Sequence, residues 1–148
     1  MNGLFFEDFT EGRVFETPGI TVTDAAIIEF AFKYDPQPFH LDREAAKHSI
    51  FGGLVASGFQ TMSLSFRLFA QTGALEHNLG GPGIDSLRWP QPVHEGDTIR
   101  CRVTVAEARA SSSKPDRGII KWGFETLNQK DEIVMTAIFI SFMKRREG

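Results

Sequence analysis

An aspartate and a histidine stand close together in a segment that two prolines stiffen, Asp35-Pro36-Gln37-Pro38-Phe39-His40. A carboxylate has a reference pKa of about 3.9 and an imidazole one of about 6.5, so together they can hold one proton near neutral pH. A water molecule hydrogen bonded to both groups could lose one proton and donate a proton to a neighbouring atom. The pair therefore indicates general acid–base catalysis.

A second segment of interest is Ser57-Gly58-Phe59-Gln60. Its Ser-x-x-Gln pattern predicts a capping box, in which Ser57 bonds the Gln60 amide and the Gln60 side chain reaches back, so a helix should begin here. Amide groups in the first turn of a helix have no partner within the helix, and the helix dipole favours a negative charge beside them. The two segments together indicate an active site.

The element before the first segment is predicted to be a helix that ends where the prolines begin. Thr23 is a plausible N-cap, and the apolar residues that follow it suit a helix packed on much of its circumference. This helix must end by Tyr34 or Asp35, because Pro36 pushes the preceding residue out of the α region. We therefore expect Asp35 and His40 to lie in a loop.

Two further helices are predicted. A short one begins at Asp42 as its N-cap. The longest runs from Ser57 to Thr72, with Gly73 as its C-terminal cap. Because this long helix has little polar surface, we expect protein to surround it.

The second half of the chain has strand composition. A short or interrupted strand, suited to a sheet edge, is also expected within residues 12–22. Residues 80–83 are expected to form a glycine-rich loop, and the expected strands are 84–89, 98–108, 118–128 and 133–143. An antiparallel sheet after one long buried helix is an α+β fold, whose uncovered edge or face a dimer would cover.

Composition limits the class of protein. The 148 residues, 41% of them hydrophobic, suit a single domain spanning 1–148, and the net charge of -3 offers no general attraction for nucleic acid. Cys101 is the one cysteine, so an internal disulfide and a thiolate metal cluster are excluded, and a reducing cytoplasm fits. The sequence has no membrane-spanning run, and its other histidines lack ligand spacing, so we expect neither a membrane partner nor a metal.

The motifs resemble those of the MaoC-like dehydratases, relatives of the (R)-specific enoyl-CoA hydratases. The resemblance rests on Phe6-Glu7-Asp8-Phe9, residues 35–42, Ser57-Gly58 and residues 88–97, and it covers essentially the whole chain. It implies a hotdog fold, in which an antiparallel sheet wraps a long helix, and assembly as dimers or larger oligomers. It also implies a thioester substrate, carried on CoA or on an acyl carrier, and no cofactor.

The resemblance assigns roles to particular residues. Asp35 and His40 match the family's catalytic pair, and Gly58 its oxyanion-binding amide. Gln37 stands where the family usually has Asn, and Ser57 where it often has His, so contacts with the substrate could differ. The residues expected to bind substrate are Gln37, Phe39, Ser57, Arg88 and Trp89, and those expected to line an acyl pocket are Phe32, Phe39 and Phe51.

The expected reaction is the interconversion of a trans-2-enoyl-CoA and an (R)-3-hydroxyacyl-CoA. The alternatives are a hotdog thioesterase and a non-catalytic acyl-CoA-binding subunit. Without the family resemblance, Asp35 is most simply a turn residue, Ser57 a helix cap and Arg88 an exposed strand residue beside a packing Trp89. The sequence leaves open the acyl chain length, the choice of carrier and which member of the pair is the base.

Overall fold

The computed structural model describes residues 3–147. It contains a 3-10 helix at Phe6–Asp8, four α-helices and six strands among those residues. The helices are α1 (Asp24–Tyr34), α2 (Pro38–Leu41), α3 (Arg43–Lys47) and α4 (Gly58–Ala70); the strands are β1 (Val14–Glu16), β2 (Ile20–Thr21), β3 (Asn78–Arg88), β4 (Thr98–Ala110), β5 (Arg117–Leu127) and β6 (Ile133–Lys144). None of the helices in this range is long and apolar enough to cross a membrane.

The strands form one antiparallel sheet in the order β1-β4-β5-β6-β3, and β2 also pairs with β4. Along β4, buried residues such as Ile99 and Cys101 alternate with partly exposed ones, which is the pattern expected of a strand with one face on the core. The break between β1 and β2 confirms the predicted interrupted strand, and β1 forms one edge of the sheet. The other edge is β3.

Helix α4 packs across the buried face of the sheet. Phe69 lies at the centre of this contact, with its ring centroid 4.9 Å from that of Trp122 and 5.3 Å from that of Phe124. The hydroxyls of Ser65 and Thr126 are also hydrogen bonded across the interface at 2.7 Å, so neither polar group is left unpaired in the core. The predicted α+β architecture, a long helix against an antiparallel sheet, is confirmed.

A second buried cluster holds α1 and α3 against the end of the sheet. Ile27 of α1 and Ala46 of α3 are fully buried here, together with Leu54 and Val93 from the connecting segments. Because the segment from Asp35 to Asp42 lies between these two helices, the cluster fixes both of its ends.

The structure differs from expectation along one face of α4. Phe59 is 53% exposed and Phe66 is 42% exposed, so the protomer alone does not surround the helix as predicted. The sequence pattern shows only that this face is apolar. It does not distinguish burial within one chain from burial between two.

The glycine-rich segment 80–83 is also not the loop that was predicted. It forms part of β3, which pairs with β6 through several register shifts, and Gly80 has a φ of 125°. Glycine reaches such backbone angles without strain, and Pro82 is tolerated because an edge strand needs no donor on its open side. The segment therefore continues the strand as an irregular edge.

Candidate active site

Helix α1 positions Asp35 in the site. The helix begins at the predicted N-cap, where the Thr23 hydroxyl accepts a hydrogen bond of 3.1 Å from the Ala26 amide. It ends at Tyr34, and Asp35 is its C-cap: the Asp35 amide still donates to the Ala31 carbonyl at 2.9 Å, but its ψ of 72° lies outside the helical region. The predicted end of the helix is confirmed. The C-terminus of α1 therefore fixes the backbone position of the Asp35 carboxylate.

His40 lies on a short helix rather than in the predicted loop. Pro38 is the first residue of α2, a position that needs no amide donor and suits the fixed φ of proline. The Gln37 carbonyl accepts a hydrogen bond of 3.0 Å from the His40 amide, which closes the turn. The two prolines of the motif thus end one helix and begin another.

Asp35 and His40 are in contact. The Nε2 atom of His40 lies 3.3 Å from Oδ2 of Asp35, and His40 is only 5% exposed. The other ring nitrogen, Nδ1, lies 2.6 Å from the carbonyl oxygen of Val55. Because a carbonyl oxygen only accepts, Nδ1 must carry a proton, and in the neutral ring Nε2 has the free lone pair. The contact with Asp35 is thus compatible with a proton on Nε2 or with a water shared between the two groups.

The Asp35 carboxylate receives two neutral donors as well as His40. The Ser57 hydroxyl donates to Oδ2 at 2.6 Å, and the Gln37 side-chain amide donates to Oδ1 at 2.7 Å. Burial raises the pKa of the Asp35 carboxyl, but the bonds from Ser57 and Gln37 and the charge of His40 outweigh burial and lower the pKa below its usual range. Asp35 is therefore an anion at neutral pH.

Ser57 caps α4, but the predicted capping box does not form. Its hydroxyl accepts a hydrogen bond of 3.2 Å from the Phe59 amide rather than from that of Gln60. The Gln60 side chain instead donates to the Ala26 carbonyl at 3.0 Å, which ties α4 to the start of α1. This bond holds the Gln60 side chain away from the Ser57 amide, and its Oε1 has no hydrogen-bond partner among residues 3–147, so the reciprocal bond is not made.

Gly58 is the first residue of α4, and its amide has no acceptor among residues 3–147. The indole of Trp89 lies directly over it: a Cβ atom added to Gly58 would be 2.5 Å from Cε2 of Trp89. Phe59 also contacts this indole edge-on, at 6.0 Å between ring centroids. Only glycine leaves room for this packing.

A cavity of about 410 Å³ adjoins the pair. It is lined by Asp35, His40 and Gly58 together with Gln37, Phe39, Phe51, Val55, Ala56, Phe59, Thr61 and residues 89–93. The residues predicted for catalysis are thus brought to one cavity, together with Gln37, Phe39 and Trp89 of the expected substrate-binding group.

Other predicted site residues have different positions. Ser57 is fully buried, so it reaches the site through Asp35 and not through the cavity. Arg88 is not among the lining residues, and its guanidinium donates to the carbonyl of Leu87. Phe51 lines the cavity as expected, whereas Phe32 does not and is 78% exposed.

The Val55 carbonyl, which orients the His40 ring, was not predicted from the sequence. Every residue has a backbone carbonyl, so no residue type marks this one.

Residues 8–121 match the MaoC like domain family. Uncharacterised protein YdeM of Bacillus subtilis is 31% identical over 140 residues, which cover 94% of this chain and 98% of that protein. An (R)-specific enoyl-CoA hydratase of Rhodospirillum rubrum is 31% identical over 106 residues, covering 68% of this chain and 69% of the relative.

A crystal structure gives the same assignment. The MaoC-like dehydratase from Rhodospirillum rubrum superposes with a TM-score of 0.92 at 41% sequence identity, covering 99% of this chain and all of the other. The long helix against an antiparallel sheet is the hotdog fold expected from the sequence. The chain therefore belongs to the MaoC-like domain family.

Proposed function

We propose that this protein is a hydratase that interconverts a trans-2-enoyl-CoA and an (R)-3-hydroxyacyl-CoA. The observation that carries the proposal is the contact of 3.3 Å between His40 and Asp35 in a cavity that Gly58 also lines. Hydration of an enoyl thioester needs a base for water, an acid for C2 and a donor for the thioester oxygen. The cavity contains a group suited to each task.

His40 is the base in this mechanism. Its Nδ1–H is held by the Val55 carbonyl, which leaves the Nε2 lone pair facing Asp35 Oδ2. A carboxylate whose pKa is lowered is a weak base, and an imidazole is intrinsically the stronger one. Asp35 therefore accepts a hydrogen bond from the water and stabilises the imidazolium that forms, while His40 takes the proton.

The chemical step balances with a single water. The water oxygen forms a bond to C3 as its O–H bond breaks, and His40 Nε2 receives the proton. The electrons of the C2–C3 double bond move towards the thioester oxygen to give an enolate. The same Nε2–H then protonates C2, which restores neutral His40 and places both new bonds on one face. Because hydration leaves the oxidation level unchanged, the step needs no redox cofactor.

The N-terminus of α4 supplies the oxyanion donor. The Gly58 amide has no competing acceptor within the described chain and lies where the helix dipole favours negative charge. The indole of Trp89 covers one side of Gly58, and an apolar neighbour strengthens a hydrogen bond to the developing enolate oxygen. Loss of one such donor in other enzymes costs about 3 to 4 kcal/mol of transition-state stabilisation.

The relative from Rhodospirillum rubrum named (R)-specific enoyl-CoA hydratase supports this reaction class and its stereochemistry. We assign the substrate carrier as CoA on the same basis, with an acyl carrier protein as the alternative. The single cysteine is in keeping with a cytoplasmic site for the reaction.

A substrate panel tests the proposal against its alternatives. Purified protein is mixed with 2-enoyl-CoAs of short, medium and long chain, while enoyl absorbance and free thiol are followed together. Hydration lowers the absorbance and releases no thiol. Thiol release would identify a thioesterase, and binding of acyl-CoA without either signal would identify a non-catalytic subunit. Either of these results would overturn the proposal.

We also propose that a second copy of the chain covers the β3 edge. β3 pairs only with β6 in the described sheet, and it carries Leu79 and Ile84, which are 47% and 44% exposed. A cavity of about 520 Å³ lies between α4 and this edge, beside the exposed Phe66. An exposed apolar edge invites pairing with another strand. Since β3 of a second chain is the same strand, a symmetric dimer closes the edge.

A further inference from the structure

Gln37 is bonded to both members of the catalytic pair. Its side-chain Nε2 donates to Asp35 Oδ1 at 2.7 Å, and its main-chain carbonyl accepts from the His40 amide at 3.0 Å. Its own amide donates to the Asp35 carbonyl at 2.8 Å. A single residue therefore links the backbone of Asp35, the carboxylate of Asp35 and the helix turn that carries His40.

The orientation of the Gln37 side chain follows from its partner. A carboxylate only accepts hydrogen bonds, so the NH₂ group of Gln37 must face Asp35 Oδ1 and the amide oxygen must point elsewhere. The donor is neutral, and it occupies the oxygen that Ser57 and His40 do not contact. With Oδ1 held by Gln37, Oδ2 stays turned towards Ser57 and His40.

We propose that Gln37 is a positioning residue that fixes the Asp35 carboxylate for catalysis, and that substrate binding is not its main role. The inference rests on the proposed function, because it concerns the same acid–base pair. It gives a specific role to the position where this sequence departs from the Asn usual in its family. The side chain of Gln is longer by one methylene, so an Asn on the same backbone would draw its amide back by about 1.5 Å and lose the bond.

The ionisable neighbour that contacts Asp35 is His40, while Gln37 and Ser57 contribute neutral donors. Removing the Gln37 donor takes away a bond that favours the ionised carboxylate, so the pKa of Asp35 should rise. Replacing the amide by a carboxylate should raise it further, because two negative groups would then face each other. The Asp35 pKa should therefore be lowest in the wild type, higher in Gln37→Ala and highest in Gln37→Glu.

Steady-state kinetics give the first test. For Gln37→Ala we expect kcat to fall by roughly 10- to 100-fold, the range expected for losing a hydrogen bond to a charged group, with KM little changed. The part of the acid-side loss of kcat that comes from protonation of Asp35 should also move to higher pH. Gln71→Ala, at an exposed glutamine after α4, is the matched control and should leave both parameters unchanged. A raised KM with an unshifted pH profile would overturn the proposal in favour of a substrate contact.

A second measurement does not depend on turnover. Carbon-13 labelling of aspartate carboxyl groups, with Asp35→Asn to assign the resonance, allows the Asp35 pKa to be followed by NMR in wild type, Gln37→Ala and Gln37→Glu. The proposal predicts the order given above. An unchanged Asp35 pKa in both variants would overturn it, even if enoyl-CoA hydration is confirmed. Absence of hydration with the predicted pKa order would instead contradict the proposed function alone.

Discussion

The Ser57 hydroxyl donates a hydrogen bond of 2.6 Å to Asp35 Oδ2 and accepts one of 3.2 Å from the Phe59 amide. One buried side chain thus caps the central helix and orients the Asp35 carboxylate. The stability of the helix terminus and the state of the active site therefore depend on the same group.

Ser57→Ala should show both effects. The free energy of unfolding should fall by about 1 kcal/mol through loss of the cap, and the Asp35 pKa should rise because a bond to its charged form is lost. Urea denaturation and NMR titration measure the two. The matched control is Ser63→Ala on the same helix, where the exposed hydroxyl donates only to the Phe59 carbonyl. Its stability should stay within about 0.5 kcal/mol of wild type. Equal effects of the two substitutions would contradict the role given to Ser57.

Asp35 should make stability depend on acid pH in a defined direction. Its pKa is lowered in the folded protein, so the folded state favours the ionised carboxyl. That contribution is fully present above the unfolded pKa of about 3.9 and is lost as the pH falls through the lower folded value. The difference in unfolding free energy between wild type and Asp35→Asn should therefore be constant near neutral pH. Below about pH 4 the wild type should lose stability relative to Asp35→Asn. Urea titrations at several pH values measure it, and a difference that moves in favour of wild type on acidification would be the contrary result.

Gly58→Ala should disturb the proposed oxyanion site through Trp89. The new Cβ would lie 2.5 Å from the indole, so the ring must move away from the head of α4. We expect kcat/KM to fall on the order of 100-fold, the scale of a misplacement of about 1 Å in an active site. Gly53→Ala, where no atom lies within 4 Å of the added Cβ, is the control and should keep the wild-type rate.

A double variant separates the two causes. If the clash is responsible, adding Trp89→Ala to Gly58→Ala should recover part of the lost kcat/KM. If Trp89 itself is needed to shield the site, the recovery stops short of the wild-type value. A Gly58→Ala protein with wild-type kinetics would contradict the tight packing of Trp89 on the helix terminus.

The proposed dimer can be tested by substitutions at the β3 edge. Ile84→Lys places a charge on the exposed side of β3, and the molar mass measured by light scattering should fall to that of one chain. Val14→Lys is the matched control because Val14 is similarly exposed, at 48%, on the opposite edge strand β1. Its mass should remain that of a dimer. A monomeric wild type, or loss of the dimer in both variants, would exclude the β3 edge as the interface.

Features governed by local chemistry were predictable from the sequence. The Thr23 cap, the end of α1 before Pro36 and the start of α3 after Asp42 each depend on residues within one helical turn. The alternation along β4 likewise follows from a strand with one buried face. These signals also fixed the α+β class.

Features that depend on distant partners were not predictable. The Gln60 side chain bonds Ala26 instead of completing the capping box, and the Ser57 hydroxyl bonds Asp35. Both partners lie one or more elements earlier in the chain, and no local sequence pattern predicts these contacts. The same holds for the Val55 carbonyl that fixes the His40 tautomer. The sequence identified the two candidate catalytic groups, whereas the bonds that support them depend on the tertiary structure.

The central claim is that Asp35 and His40 act together on a water beside an enoyl thioester. The most direct measurement is the rate of loss of enoyl absorbance for wild type, Asp35→Asn and His40→Ala, with the exposed His48→Ala as control. We predict that the wild type and His48→Ala hydrate the substrate at equal rates, and that each variant of the pair is slower by about 10² to 10⁴. Full activity in either Asp35→Asn or His40→Ala would contradict the account.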